Sequence, residues 1–370
     1  MVLGRTLVLL EDNNLYKKIF IFPIMARIIG KGFSFDDVLI VPKYNKILSR
    51  RDVELKTKVT RNYQIKIPIL AANMDTVCES EMAIALGELG GLGVIHRFMT
   101  IEEQAKQVKE VGGYGLITAA AIGVKDVEER AEALVESGLE IIVIDIAHGH
   151  SKYAGKTLDY LKKTYPHVDV IAGNIATKDA AEYFLSKGAD AVKVGIGPGS
   201  LCTTRLMTGS GIPQLTAIMD VYEATKGQIP ICADGGIKKP ADIVKALGAG
   251  ADTVMTGYIF AGTNESPGEI IEKNGERFKL YRGSASYDVA VKKAELNGEE
   301  GDVISVEGEK TLIPYKGPIS PIIKKYLGAL ASGMTYIGAK NMMGLIGKVD
   351  FIEITDSGYE ESRANGVTGD

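Results

Sequence analysis

The chain reads as an α/β protein, a (β/α)8 (TIM) barrel with a mobile flap towards its C-terminal end, and three observations carry that expectation. From residue 65 onward, short β-branched apolar runs alternate with longer segments of helical periodicity, the signature of repeated βα units and a parallel sheet. The runs number eight: Ile67–Asn73, Gly91–His96, Leu116–Ile122, Ile141–Ile146, Val168–Gly173, Ala191–Gly195, Ile229–Ala233 and Thr253–Thr256. Residues able to do chemistry stand at the C-terminal ends of these runs, where such a barrel builds its active site.

Between the runs, amphipathic spacing predicts helices over Glu79–Gly90, Thr100–Val111, Asp126–Ser137, Thr157–Thr164, Lys178–Lys187, Gln214–Thr225 and Pro240–Leu247. The run ends then bring Asn73-Met74-Asp75, His96-Arg97, Asp145 with His148-Gly149-His150, and Asn174 to one rim. The later runs add a cysteine-bearing loop, Asp234-Gly235-Gly236, and Gly257 with Ala261-Gly262. Singly, each could be a loop cap or a turn glycine; together they form the pattern of a barrel enzyme. Beyond the eighth run, Asn264–Gly301 is polar and turn-rich, Asp302–Gly317 is mixed, and Ile319–Leu330 returns to helical periodicity. Residues 284–317 are expected to form a flap that docks on the barrel mouth. Residues 25–355 are read as one catalytic domain, 356–370 as a polar mobile tail, and 1–24 as a peripheral extension preceding a start at Met25.

Composition narrows the function. The chain has 370 residues, 45% apolar and 24% charged, as expected of a soluble globular protein with a sizeable core. A net charge of −4 without a basic block argues against nucleic acid or an anionic membrane surface as partner. Three cysteines, odd in number and far apart (Cys78, Cys202, Cys232), favour a reducing, cytoplasmic setting over a disulfide framework.

The most informative stretch is Lys193-Val-Gly-Ile-Gly-Pro-Gly-Ser-Leu-Cys-Thr-Thr-Arg205. Its glycines let the backbone turn tightly toward a ligand, and Ser200, Cys202, Thr203 and Thr204 place hydroxyls and a thiol within five residues. The plain alternative is a glycine-rich loop with a small cysteine tucked in. A nucleophilic Cys202 needs a neighbour that handles its proton, and Thr204, two residues on, and Glu307 on the flap are the candidates. Asp234-Gly235-Gly236 and Gly257, after runs seven and eight, are placed to hold a phosphate on backbone amides, with Asp234 accepting from ribose hydroxyls; a plain turn would use the same residues. His148 and His150 invite a zinc reading, but no third ligand is spaced to join them, so they are read as loop structure beside a ligand. Gly195-Ile-Gly-Pro-Gly199 is not a Rossmann fingerprint, since it does not open directly into a helix with an acidic partner downstream.

Gly195-Ile-Gly-Pro-Gly-Ser-Leu-Cys-Thr-Thr-Arg205, followed by Pro213-Gln214, resembles the active-site loop shared by IMP dehydrogenase and GMP reductase. Further matches are Phe35-Asp-Asp-Val-Leu39, Ala72-Asn-Met-Asp-Thr-Val77, Ala147-His-Gly-His-Ser151, Ala233-Asp-Gly-Gly-Ile237, Glu265-Ser-Pro-Gly268 and Pro314-Tyr-Lys-Gly317. The resemblance implies a purine nucleotide (GMP or IMP) that forms a covalent adduct through C2 with Cys202, and a nicotinamide cofactor stacked on the base. It implies nucleotide contacts from Ser200, Asp234, Gly235, Gly236, Gly257, Tyr258, Tyr281, Gly283, Ser284 and Ala285. The cofactor would face Ser49, Arg50, Arg97, Asp145, Ile146, Ala147, Ile196 and Gly197. Potassium, where used, would lie at Gly197, Gly199, Cys202 and Arg205, and the assembly would be a homotetramer.

The two branches of the family differ in the fate of the adduct. The dehydrogenase resembles an enzyme with a water-activating arginine two residues before Pro-Tyr-Lys-Gly; here that residue is Leu312, and no arginine occurs between Arg282 and Arg363. Leucine neither takes a proton nor orients water. The reductase uses a threonine and a glutamate, which fall on Thr204 and Glu307, so the resemblance favours NADPH-dependent conversion of GMP to IMP and ammonia. The other readings are an IMP dehydrogenase without its regulatory insertion and a silent nucleotide-binding barrel. That insertion is absent, since only some twenty residues separate His96 from Leu116. Val303-Ile304 replaces a Tyr-Arg pair of vertebrate-type reductases, and Tyr258 stands where a small residue is usual.

Overall fold

The computed structural model describes residues 26–296 and 306–362. The chain divides into a short unit, Met1–Gly32, whose described part has no helix or strand, and a large one from Phe33 onward. The expected N-terminal extension, residues 1–24, lies outside the described residues, as do Val303 and Ile304.

All eight expected strands are present: β1 (Ile69–Ala71), β2 (Leu92–Gly93), β3 (Ala119–Ile122), β4 (Ile141–Asp145), β5 (Asp169–Ile175), β6 (Ala191–Val194), β7 (Ile231–Asp234) and β8 (Thr253–Thr256). They pair in parallel in the order β2-β1-β8-β7-β6-β5-β4-β3. A parallel bridge between Ile95 and Ala120 joins the two edges, with Ile95 N–H donating to Ala119 O and Ala121 N–H to Ile95 O, both at 2.9 Å. The sheet therefore closes into a (β/α)8 barrel.

Strand alternation sorts the side chains into two cores. Leu70, Leu92, Ala119, Ile141, Val143, Ile171, Ala191, Cys232 and Met255 fill the interior. Ile69, Ala71, Ile142, Ile144, Val170 and Val192 pack outward against the helices. The same alternation points Asp145, Lys193 and Asp234 inward, one step beyond the apolar interior and at the C-terminal ends of their strands. An ionic layer thus caps the apolar core beneath the rim.

The helices follow the amphipathic spacing closely, from α1 (Ser80–Glu88) and α2 (Ile101–Gly113) through α3 (Val127–Glu136). The next, α4 (Lys152–Thr164), begins five residues before the spacing predicts, because Ser151 caps it by accepting from Ala154 N–H. After α5 (Lys178–Ser186), a short turn α6 (Thr204–Thr208) follows the cysteine loop, then α7 (Gln214–Thr225) and α8 (Pro240–Gly248).

The region after β8 departs from the polar, turn-rich reading. It contains an antiparallel sheet of β9 (Ile271–Lys273), β10 (Glu276–Arg282) and β11 (Lys310–Pro314), with α9 (Tyr287–Leu296) on the excursion between the last two. The flap expected to start at residue 284 therefore rests on strands that begin at Ile271. Four charged residues in Glu276-Arg-Phe-Lys-Leu-Tyr-Arg282 make the stretch read as loop by composition, although it forms a strand that buries Lys279 and Tyr281. Helix α10 (Ile319–Ile337) runs past the expected Leu330 until Gly338 ends it in the left-handed region. A one-turn helix, α11 (Met342–Leu345), follows. The tail is not uniformly irregular either: Thr355 caps α12 (Asp356–Glu361) by accepting from Gly358 N–H.

Candidate active site

One cavity opens at the C-terminal end of the barrel and gathers the rim residues with the flap. Of the residues expected to act, all but Ser49, Arg50 and Arg205 line it. Ser49 instead caps the turn Arg50–Asp52, which packs against α10. Ser49 and Arg50 are thus not brought to the cavity within one chain. His148 and His150 do not line it either, so they are not beside the ligand space; the His150 ring rests on Tyr183 with centroids 5.3 Å apart. Among the described residues no cluster of three metal-ligating side chains occurs.

The cysteine loop leaves β6 at Gly195, whose φ of +151° and close approach to the Asp234 carbonyl oxygen leave no room for a side chain. Cys202 Sγ–H donates to Thr204 Oγ1 at 3.1 Å, and Thr204 Oγ1–H donates to Glu307 Oε2 at 2.8 Å. A continuous path for a proton runs from thiol to hydroxyl to carboxylate across 103 residues of sequence. Backbone pairing sets its register: Thr203 N–H donates to Glu307 O and Glu309 N–H to Leu201 O, both at 2.9 Å, around an antiparallel bridge between Cys202 and Gly308. Gly308 is wedged against Ser286 N and Ala285 C, 2.9 and 3.1 Å from a notional Cβ, so any side chain there would force apart the two segments of the flap that meet at Ser286 and Gly308.

Two sites on the far wall fit a nucleotide. Ser200 Oγ and the Tyr281 hydroxyl are 3.1 Å apart, and burial pushes the Tyr281 phenol up to about 12, so it stays a neutral hydrogen-bonding group. Gly235 and Gly236 both have positive φ and turn the backbone after β7 beside Pro198 and Gly199. Gly257 faces the Tyr281 hydroxyl and Met74, and Tyr258 is partly exposed, its carbonyl accepting from Lys316 Nζ at 2.6 Å. Gly283, Ser284 and Ala285 complete that wall.

The ionic layer contains the residue that sequence reasoning passed over. Lys193 is 2% exposed, and its Nζ donates to Asp234 Oδ2 at 2.7 Å and Asp145 Oδ1 at 3.1 Å. Burial opposes its charge, but the two carboxylates outweigh burial and hold the ammonium protonated. Burial likewise opposes ionisation of Asp145, yet Lys193, Arg97 and a hydrogen bond from Asn73 keep its carboxyl below the usual range. Asn174 Nδ2 donates to Asp234 Oδ2 at 2.9 Å and to Gly195 O at 2.7 Å. The signal was available: Lys193 is a charge in the otherwise apolar strand Ala191-Val-Lys-Val194.

Two buried polar atoms beside the cavity, Arg97 Nε and Asn174 Oδ1, have no hydrogen-bond partner among the described residues, as expected of groups that await a polar ligand. The cavity therefore fits a polar cofactor. On the loop where the resemblance puts potassium, two of the four carbonyls have a hydrogen-bond partner. The Gly199 carbonyl already accepts from Cys202 N–H and the Arg205 carbonyl from Gly209 N–H, both at 3.1 Å. The Arg205 guanidinium is itself the cation on this loop, donating to Ile196 O and Ile212 O.

A closed (β/α)8 barrel whose rim pairs a cysteine with a hydroxyl and a carboxylate, beside an ionic polar wall, has the arrangement that a barrel enzyme with a nucleophilic thiol would need. Residues 32–365 match the IMP dehydrogenase / GMP reductase domain, and the chain belongs to that family of oxidoreductases. It is 39% identical to the inosine-5′-monophosphate dehydrogenase of Borreliella burgdorferi, over 92% of this chain and 98% of that one. It is 32% identical to the GMP reductase of Leishmania donovani, over 91% and 97%. The fold superposes on a crystal structure of a cysteine-to-alanine GMP reductase from Trypanosoma brucei in complex with guanosine 5′-monophosphate, with a TM-score of 0.85, 31% identity, and coverage of 92% and 98%.

The alignment lengths bear on the missing insertion. The Leishmania reductase aligns over 482 positions, more than this chain's 370 residues, whereas the Borreliella dehydrogenase aligns over 399. A reductase thus carries extra residues that a dehydrogenase largely lacks, and the absence of an insertion does not separate the branches.

Proposed function

We propose that the protein is a GMP reductase that converts GMP and NADPH to IMP, ammonia and NADP+. The observation that carries the reading is the path Cys202–Thr204–Glu307, together with leucine at position 312. Cys202, its proton passed through Thr204 to Glu307, attacks purine C2 of GMP and forms a C–S bond. The exocyclic C2–N bond then breaks, and the same path returns a proton so that the amine leaves as ammonia. NADPH, when bound, would supply the hydride that takes the place of sulfur at C2 of the resulting thioimidate; Cys202 leaves as the thiolate when the C–S bond breaks, giving IMP. Ser200, Tyr281 and the backbone turns at Gly235, Gly236 and Gly257 hold the nucleotide. Asp234 accepts from the ribose, its carboxylate fixed by Lys193 and Asn174.

Arg97, Asp145, Ile146, Ala147, Ile196 and Gly197 would hold the cofactor, while Ser49 and Arg50 reach it only from another copy, consistent with a homotetramer. Potassium would lie at the cysteine loop. No helix of the described residues is long and apolar enough to cross a membrane; the proposed setting is the cytoplasm.

The dehydrogenase relatives, 35–39% identical, favour a second reading as IMP dehydrogenase. One assay separates the two: nicotinamide absorbance should fall with GMP and NADPH and stay constant with IMP and NAD. A rise with IMP and NAD alone overturns the reductase, and no change in either supports a silent barrel.

A further inference from the structure

The end of the cavity at Phe98 carries more positive charge than the described residues neutralise. Lys193, Arg97 and Lys293 line it, facing two carboxylates, Asp145 and Asp234. Lys193 touches both carboxylates. Arg97 Nε stands 3.8 Å from Asp145 Oδ2, beyond hydrogen-bonding distance, and is buried without a partner. Lys293, on α9, has neither a hydrogen bond nor an ion pair among the described residues. Its Nζ lies 4.7 Å from the centroid of the Phe98 ring, and the Arg97 guanidinium carbon lies 5.1 Å from the same centroid. Phe98 is itself 1% exposed. Asp75, the other carboxylate acting on Lys293, is already held by Arg282, whose Nε donates to its Oδ2 at 3.0 Å.

Two cations over one buried ring repel each other, and the ring's quadrupole offsets only part of that repulsion. Burial and then the Arg97 charge depress the Lys293 ammonium to about 8, against the pull of Asp145 and Asp75. An anion at this end would give Arg97 Nε an acceptor, pair Lys293, and remove the excess charge. The proposed function gives the nucleotide phosphate to the backbone turns at Gly235, Gly236 and Gly257, which leaves Arg97 and Lys293 for a different anion.

We infer that Lys293, with Arg97 across the Phe98 ring, binds a phosphate group of the nicotinamide dinucleotide. The inference rests on the cofactor part of the proposed function and is independent of the direction of hydride transfer. The phosphate has two possible sources, the pyrophosphate bridge common to all four nicotinamide dinucleotides and the 2′-phosphate found only in NADPH and NADP+.

The test is equilibrium binding of NADPH and NADH to the wild type, Lys293→Gln and Lys293→Arg. Loss of one charge-assisted contact should weaken binding to K293Q about tenfold or more, while K293R stays within about threefold and GMP affinity is unchanged. Equal losses for the two cofactors assign the pyrophosphate; a loss confined to NADPH assigns the 2′-phosphate. Affinities within about twofold of wild type for both cofactors overturn the inference, as does a K293Q loss that K293R does not rescue. Should K293Q melt at lower temperature, wild-type binding still decides, since a phosphate contact requires affinity to fall with rising salt and a salt-insensitive dissociation constant rules it out. A wild type that binds dinucleotides but does not reduce GMP would sink the reductase reading and leave this one standing.

Discussion

The β6–β7 rim and the flap build the same site by opposite means. The rim rises from strands whose apolar side chains are wholly buried, and its charged groups are locked: Lys193 bridges Asp145 and Asp234, and Asn174 holds Asp234 from the side. The flap sheet is largely exposed on β9 and β11; an ion pair from Arg282 to the buried Asp75 anchors it to the barrel, and one from Lys310 to Asp288 at 2.9 Å ties β11 to α9 within it. Cys202, the ionic layer and the glycine turns therefore sit on the barrel, whereas Glu307, the proposed proton acceptor, arrives on the flap together with Gly283, Ser284 and Ala285. That division suits a reaction in which nucleotide and cofactor must enter before the proton path is completed.

The sharpest break in the comparison is Cys202→Ala, which removes the rim's nucleophile and leaves its binding groups. Turnover should fall at least about a thousandfold, while GMP affinity measured by calorimetry stays within about threefold. Retained turnover would sink covalent catalysis. Glu307→Gln tests the flap's contribution: Gln keeps the hydrogen bond from Thr204 but takes no proton, so kcat should drop about a hundredfold or more with KM for GMP little changed. An equal rise in KM would instead make Glu307 a binding residue.

Arg282→Met probes the anchor. Asp75, 7% exposed, would keep a buried carboxylate without its cation, at a cost of up to about 3 kcal/mol in unfolding free energy. If the flap opens as a unit, limited proteolysis should cut the 271–314 region of the variant before the barrel, with kcat lowered about tenfold. Cleavage no faster than in wild type would show that the pair is not what holds the flap.

The barrel was legible in the sequence because each strand repeats one pattern, so eight weak signals supported one architecture. The rim was legible for the same reason, since its residues follow strand ends. The flap was not: its strands are rich in charged residues, so average polarity reads as loop, and its pairing joins β10 to β11 across an excursion of 27 residues between Arg282 and Lys310. Thr204 and Glu307 could be named as candidates, but their contact depends on the Cys202–Gly308 bridge, a tertiary pairing without a local signal. Ser49 and Arg50 show the opposite limit, since matching residues can be found in sequence without one chain bringing them to the cavity.

The smallest expected effect is the most discriminating about the flap. In β11 the side chain of Ile313 is buried and that of Leu312 is 36% exposed, so position 312 lies on the outward face of the strand and does not line the cavity. Leu312→Arg should therefore shift the unfolding free energy by no more than about 0.5 kcal/mol. With the flap docked as it is here, an arginine at 312 stays out of the site and gains no oxidation of IMP with NAD. A variant that did oxidise IMP would mean that the flap turns or slides so as to present position 312 to purine C2. The ion pairs at Arg282 would then be a hinge as well as an anchor, and L312R combined with Arg282→Met should show more of that activity than L312R alone.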